Sequence, residues 1–177
     1  MQSATFKICI FGAGGVGKTT MVQRYITGRF RESTKMTIGA DILIKELEFN
    51  NWKVKLQIWD FGGEERFRFF LPPYARGAFA GIFMYDITRY NSIIEFDEWV
   101  KIFMKGASFR DKKVPILMVG GKLDLEQRRT ISAEEASHFA LSRNVYKIIE
   151  CSSKTGHNID LIFKDITIKI MEVFELL

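Results

Sequence analysis

The chain has 177 residues, 47% of them hydrophobic and 27% charged, with a formal net charge of +5. These values fit one soluble globular domain, residues 1–177, and the absence of a dense Lys/Arg run argues against a nucleic-acid partner. The two cysteines lack a C-x-x-C spacing, which argues against a zinc site, and a chain with so few cysteines is typical of a reduced, cytoplasmic location.

A glycine-rich loop follows the first predicted strand. Residues 6–11 are typical of a buried strand, residues 12–19 (GAGGVGKT) fit the pattern G-x-x-x-x-G-K-[ST], and residues 20–26 favour a helix. Such a loop points amide N–H groups and a helix dipole at a polyphosphate, although a plain glycine turn has the same letters. The candidate nucleotide-binding residues here are Gly14, Gly15, Val16, Gly17, Lys18, Thr19 and Thr20, with Lys18 on the β- and γ-phosphates and the Thr19 hydroxyl on Mg²⁺.

The later strands are predicted from apolar patterns. A hairpin is expected over residues 42–59, with a tight turn at Asn50 and Asn51 and a polar–apolar alternation in its second strand. Three apolar runs without alternation predict strands that are buried on both faces; they are residues 81–86, 114–120 and 146–150.

Helical patterns lie between these strands. Ser92 with Glu95 and Ser132 with Glu135 have capping-box spacing, which predicts helices from 92 to about 105 and from 132 to about 141. Apolar residues at three- and four-residue spacing predict a last amphipathic helix between residues 159 and 174. Alternating strands and helices predict an α/β fold in which a mostly parallel sheet is covered on both sides and ligand loops gather at the carboxyl ends of the strands.

A carboxylate and a glycine end the hairpin. Asp60 lies at the tip of a buried apolar strand, where its charge is costly unless something positive meets it. Mg²⁺ bound by Thr19 is a suitable partner, and Gly63 would offer its N–H to the γ-phosphate. An ordinary Asp-Gly-Gly turn would have the same sequence, so the interpretation depends on the phosphate loop upstream.

Two further strand ends carry candidate base contacts. Asp124 can accept two N–H bonds from a guanine edge, whereas adenine offers no matching donor pair, and Lys122 can lie along the base plane. Around the next strand end, Ser152, Ser153 and Lys154 are candidate nucleotide-binding residues, with the Ser153 N–H on the guanine oxygen and Lys154 packing on the ring. Taken alone, the first segment favours an exposed charged turn, and the second is a weak signal.

The four segments, in this order and spacing, resemble the Ras-like small GTPases over nearly the whole chain, and the Rab branch in particular. The resemblance extends to residues 36–41, 65–68, 74–78 and 85–88, whereas Gly62 is Arf-like. It implies a three-layer P-loop NTPase fold: a six-stranded, mostly parallel sheet with one antiparallel edge strand and about five helices. It also implies that Thr37 ligates Mg²⁺ and bonds the γ-phosphate in the GTP state, and that Phe30 packs against guanine.

Three positions depart from the family pattern. Glu64 stands where the family has the Gln that orients the attacking water, and its carboxylate could either repel the γ-phosphate or take a proton from the water. Gly121 replaces an Asn that contacts the base and ties the base loop to the phosphate loop, a loss of two hydrogen bonds of about 1 kcal/mol each. Ile42 replaces the Phe of an effector-binding Phe-Trp-Tyr triad, in which Trp59 and Tyr74 match.

The resemblance implies a guanine-nucleotide switch that hydrolyses GTP to GDP and phosphate at a low unaided rate. The candidate catalytic residues are Lys18, Thr37, Gly63 and Glu64, and the candidate Mg²⁺ ligands are Thr19, Thr37 and Asp60. Because of Glu64 and Gly121, a nucleotide-bound adaptor with little or no hydrolysis is a second hypothesis. A different P-loop ATPase or kinase is a third, against which Asp124 argues.

The family also implies protein partners: an exchange factor, a GTPase-activating protein and effectors that bind residues of about 30–44 and 59–74. An apolar docking patch is predicted at Trp59, Phe69, Phe70, Leu71 and Tyr74, with packing onto the core as the alternative. Relatives usually carry lipidated C-terminal cysteines. Peripheral membrane association is therefore expected only if a lipidated tail lies outside this sequence.

Overall fold

A computed structural model describes residues 1–32, 35–107 and 112–177. Within these ranges six strands form one sheet in the order β2-β3-β1-β4-β5-β6. The strands are β1 (Gln2–Phe11), β2 (Ala40–Phe49), β3 (Trp52–Phe61), β4 (Ala80–Asp86), β5 (Ile116–Gly121) and β6 (Lys147–Glu150). The β2–β3 pair is antiparallel and the other neighbours are parallel, which confirms the predicted sheet and its antiparallel edge strand.

The helices of the described ranges connect these strands. They are α1 (Lys18–Thr27), α2 (Leu71–Ala75), α3 (Asn91–Ile94), α4 (Phe96–Met104), α5 (Ala133–Leu141) and α6 (Ile159–Val173), with 3₁₀ helices at Glu65–Phe70 and Leu123–Arg128. One long helix was expected from residue 92 to about 105, and the chain instead forms α3 and α4, which meet at Glu95. No helix in the described ranges is both long and apolar enough to cross a bilayer.

The two predicted capping boxes have opposite outcomes. Ser132 and Glu135 form one, because the Glu135 N–H donates to Ser132 Oγ and the Ser132 N–H donates to the Glu135 carboxylate. The prediction at Ser92 is wrong. Its buried hydroxyl lies within α3, accepts the Asp86 N–H at 2.9 Å and donates to the Arg89 carbonyl at 2.6 Å, so it joins α3 to the end of β4.

Two apolar clusters cover the two faces of the sheet. In β1, Ile8 and Ile10 belong to the cluster that includes α1 and α6, and Cys9 and Phe11 belong to the cluster that includes α2 to α5. This alternation gives the predicted three layers. The expectation that residues 146–150 are buried on both faces is wrong, because β6 is an edge strand and leaves Lys147 exposed.

Ser132→Ala should lower the free energy of unfolding by about 1 kcal/mol, because the first turn of α5 loses the side-chain acceptor of its capping box. Ser137→Ala, in the same helix, is the matched control. The Ser137 hydroxyl donates to the Ala133 carbonyl, which already accepts a backbone hydrogen bond within the helix. Loss of the hydroxyl should therefore leave the free energy of unfolding nearly unchanged. Urea unfolding of both variants checks this. Equal effects would contradict the capping role.

Candidate functional site

Loops at the carboxyl edge of the sheet surround a cavity of about 640 Å³. It is lined by these residues proposed from the sequence: Gly14, Gly15, Val16, Gly17, Lys18, Thr19, Thr20, Phe30, Thr37, Gly63, Glu64, Lys122, Asp124, Ser153 and Lys154. Asp60 and Ser152 are buried and are not part of the lining. The lining also includes residues that the sequence analysis did not propose; they are Glu32, Lys35, Met36, Phe61, Met84 and Leu125.

The phosphate loop holds a buried ammonium group. Lys18, at the start of α1, is 5% exposed and its Nζ donates to the carbonyls of Gly12 and Ala13, both at 2.8 Å. Burial lowers the pKa of Lys18 to about 8, against the opposing effect of the Asp60 carboxylate. A buried cation is costly unless anionic groups compensate it, so this position favours an anionic ligand.

Three oxygen-bearing side chains meet beside Lys18. Thr19 Oγ1 lies 2.5 Å from Asp60 Oδ2, to which it donates, and 2.8 Å from Thr37 Oγ1. Asp60 is fully buried, and its Oδ1 has no hydrogen-bond partner among the described residues. Burial raises the pKa of Asp60 to about 6, opposed by the Thr19 hydrogen bond and the Lys18 charge. Hydroxyl and carboxylate oxygens with an unpaired acceptor fit a Mg²⁺ ion.

The loop after β3 packs directly against the phosphate loop. A Cβ added to Gly63 would lie 2.4 Å from the Gly14 nitrogen, and one added to Gly62 would lie 2.4 Å from the Thr37 carbonyl oxygen. Any side chain at either position would therefore push these segments apart. Glycine at both positions lets three loops of the cavity approach one another.

The base-loop carboxylate is fixed in orientation. Asp124, in the 3₁₀ helix that follows β5, accepts a hydrogen bond from Ser152 Oγ at 2.6 Å. The Leu123 N–H donates to the Cys151 carbonyl at 2.9 Å, which joins the loops after β5 and β6. Ser152 thus acts on the cavity through Asp124.

A buried carboxylate that the sequence analysis did not propose ties the base loop to the phosphate loop. Asp86 is the last residue of β4, and its side chain is 1% exposed. Its Oδ2 lies 2.7 Å from Lys122 Nζ and 3.4 Å from Arg89 Nε. Each cation also donates to the phosphate loop, Lys122 to the Gly15 carbonyl at 3.0 Å and Arg89 to the Gly14 carbonyl at 2.7 Å. Asp86, like Asp60, is a carboxylate at the tip of a buried strand, so the same sequence pattern predicts a positive partner for it.

Glu64 lines the cavity and is paired with an arginine. Its Oε2 lies 2.6 Å from Arg66 Nε, and the two side chains are 37% and 63% exposed. The pairing partly compensates the charge of the carboxylate.

The predicted docking patch is only partly exposed. Phe69 is 67% exposed and Tyr74 41%, and the Trp59 and Tyr74 rings lie 5.5 Å apart. Ile42 is the cross-strand partner of Trp59, so the three triad positions adjoin. The prediction for Leu71 is wrong: it is buried in the cluster that includes α2 to α5.

This combination of phosphate loop, oxygen cluster and base loop matches a known family. A model of the Ras family matches residues 7–172. The chain belongs to the Ras family. Relatives include human Rab-30, 40% identical over 166 residues (94% of this chain, 80% of the relative), and Drosophila melanogaster Rab7, 35% identical over 173 residues (97% and 83%). This Ras-family chain is therefore a Ras-like small GTPase of the Rab branch, a class of GTP-binding switches in signalling and trafficking.

Asp86→Asn should lower the free energy of unfolding at pH 7 by about 2 kcal/mol, because the buried carboxylate accepts charge-assisted hydrogen bonds from Lys122 and Thr88 that a neutral amide cannot replace in full. Burial raises the pKa of Asp86, but hydrogen bonds from Lys122 and Thr88 outweigh burial and hold it below 3.8. The carboxylate therefore contributes stability above that pH, and the difference between the variants should vanish as the pH falls through the folded pKa.

Asp97→Asn is the matched control, because Asp97 forms an exposed ion pair with Arg143 at 3.0 Å. We expect it to cost less than about 1 kcal/mol. Urea unfolding between pH 3 and pH 7 measures both variants. An Asp86→Asn effect that is independent of pH would contradict the ionic account.

Proposed function

We propose that the chain, as one nucleotide-binding domain, binds GTP with Mg²⁺ in this cavity, hydrolyses it to GDP and phosphate, and acts as a switch. The observation that supports this is the meeting in one cavity of three features: the buried Lys18 ammonium, the oxygen cluster around Asp60, and the oriented carboxylate of Asp124. They match, in turn, the charge of a polyphosphate, the ligand preference of Mg²⁺ and the donor edge of guanine.

Three residues would act on the phosphate side of the cavity. Lys18 would bind the β- and γ-phosphates, the Gly63 N–H would bind the γ-phosphate, and Glu64 would face the attacking water. Mg²⁺, when held by Thr19, Thr37 and Asp60, would neutralise phosphate charge.

On the base side, Asp124 would accept from the guanine edge. The packing groups would be Phe30, Lys122 and Lys154, and the Ser153 N–H would reach the guanine oxygen. All of these residues line the same cavity.

The switch would consist of two segments that contact the γ-phosphate. Thr37 lies on the first, within residues of about 30–44, of which 33 and 34 are outside the described residues; Gly63 lies on the second, within 59–74. The second segment is anchored at Arg68, which forms ion pairs of 2.6 Å with both Glu95 and Glu98. Nucleotide state would therefore act mainly on residues between Gly63 and Arg68.

The same segments would bind the protein partners, an exchange factor, a GTPase-activating protein and effectors. Ile42 in place of the triad Phe changes the surface that familiar effectors would meet.

Two cysteines, Cys9 and Cys151, are buried and free, and burial raises the pKa of each thiol to about 12, so both are unreactive. We propose a cytoplasmic location, at membranes only through a lipidated tail.

Lys18→Ala should lower single-turnover GTP hydrolysis by at least about 100-fold, because it removes the cation that stabilises charge on the transferred phosphate. Lys101→Ala is the matched control, since Lys101 is an exposed lysine of α4 and does not line the cavity. Chromatography of the nucleotide released from denatured wild-type protein should show guanine nucleotide. Bound ATP in place of guanine nucleotide, with GTP hydrolysis by the wild type no faster than by Lys18→Ala, would instead support a different P-loop ATPase.

Glu64→Gln should raise the single-turnover rate about tenfold, because an amide can orient the water without adding negative charge beside the γ-phosphate. Glu65→Gln is the matched control, being the next carboxylate along the chain and outside the cavity lining. Phosphate release is the readout. The adaptor hypothesis, which rests on Glu64 and Gly121 in place of the family Gln and Asn, predicts no release from the wild type even with activating proteins. A rate unchanged by Glu64→Gln would contradict the proposed role of the carboxylate.

A further inference from the structure

The side chain of Met84 lies between the phosphate loop and the base loop. Met84 belongs to β4, is 1% exposed and lines the cavity. Its Cε would be 2.4 Å from a Cβ added to Gly121, at the end of β5, and 3.5 Å from one added to Gly17 of the phosphate loop. The methyl group occupies the space that the first atom of a side chain at position 121 would need, so the end of this flexible side chain must move before such a side chain can stand there.

The backbone of Gly121 does not itself require glycine. Its φ lies outside the left-handed region, and β5 continues through it with regular pairing to β4. The Val16 carbonyl oxygen of the phosphate loop lies 3.2 Å from the added Cβ, within reach of an amide donor on a side chain there. A polar side chain at position 121 could therefore bond the phosphate loop, provided that the end of Met84 moves aside.

The geometry points to Met84 and Gly121 as one coupled pair that sets how tightly this chain retains its nucleotide. This inference rests on the proposed function. An apolar methyl contact replaces the side chain that would join the two loops, and Lys122 and Arg89, held by Asp86, supply the remaining links between the base-loop side and the phosphate loop. With Asp124 as the polar side chain left to read guanine from this loop, GDP release without an exchange factor is fast.

The pair makes a specific prediction about single and double substitutions. Gly121→Asn alone should leave GDP release within about twofold of the wild-type rate, because moving the end of the Met84 side chain aside offsets the hydrogen bond that the new amide forms. In the Met84→Val background the same substitution should slow release about tenfold relative to Met84→Val alone, since the amide then has room to bond the phosphate loop.

Gly121→Ala in both backgrounds separates volume from polarity, because alanine adds the Cβ without a hydrogen-bonding group. Release of a fluorescent GDP analogue into excess GDP is the measurement. Alanine should not slow release in either background. Gly121→Asn slowing release equally with and without Met84→Val would overturn the coupling, as would alanine matching asparagine in the Met84→Val background.

Thermal unfolding in EDTA without added nucleotide tests the packing independently of the proposed function. Gly121→Ala should lower the unfolding midpoint by about 2 °C with Met84 present and by clearly less with Met84→Val. Unchanged midpoints in both backgrounds would overturn the packing claim. Failure of every protein to hold guanine nucleotide would overturn the proposed function and the retention claim with it, while the midpoints would still decide the packing.

Discussion

Burial of charge at the carboxyl edge of the sheet is the constraint on which this structure depends. Burial lowers the pKa of Lys18 and raises the pKa of Asp60, so both charged forms are disfavoured unless opposite charge approaches them. A polyphosphate supplies negative charge to the first, and a divalent cation supplies positive charge to the second. Opposite charges placed side by side in this way favour a metal-bound polyphosphate over either component alone.

The sheet topology explains why these charges converge. The strands β1, β3, β4 and β5 are parallel neighbours, so the loops after them meet at one edge. The Asp86 carboxylate at the end of β4 occupies the middle of that edge and holds Lys122 and Arg89 against two carbonyls of the phosphate loop. The phosphate loop is therefore positioned by the elements that also carry the base loop, which couples the two halves of the cavity.

Sequence patterns predicted the parts of this molecule that depend on local chemistry. The phosphate loop is a contiguous motif, and central parallel strands are continuous apolar runs, so both were recognisable. The errors arose where a side chain's partner is distant in the chain. Spacing cannot show that Ser92 bonds to the end of β4, that β6 lies at an edge, or that Leu71 packs inward. The contact between Met84 and position 121 joins the neighbouring strands β4 and β5, so no local sequence pattern indicates it.

Calorimetric titration of nucleotide-stripped protein with GDP and ADP, each with Mg²⁺ and with EDTA, tests the central claim most directly. The account predicts a GDP dissociation constant below about 1 µM with Mg²⁺, at least about tenfold weaker binding in EDTA, and weaker binding still for ADP. GDP binding that is undetectable at micromolar concentrations, indifferent to Mg²⁺ or matched by ADP would contradict it.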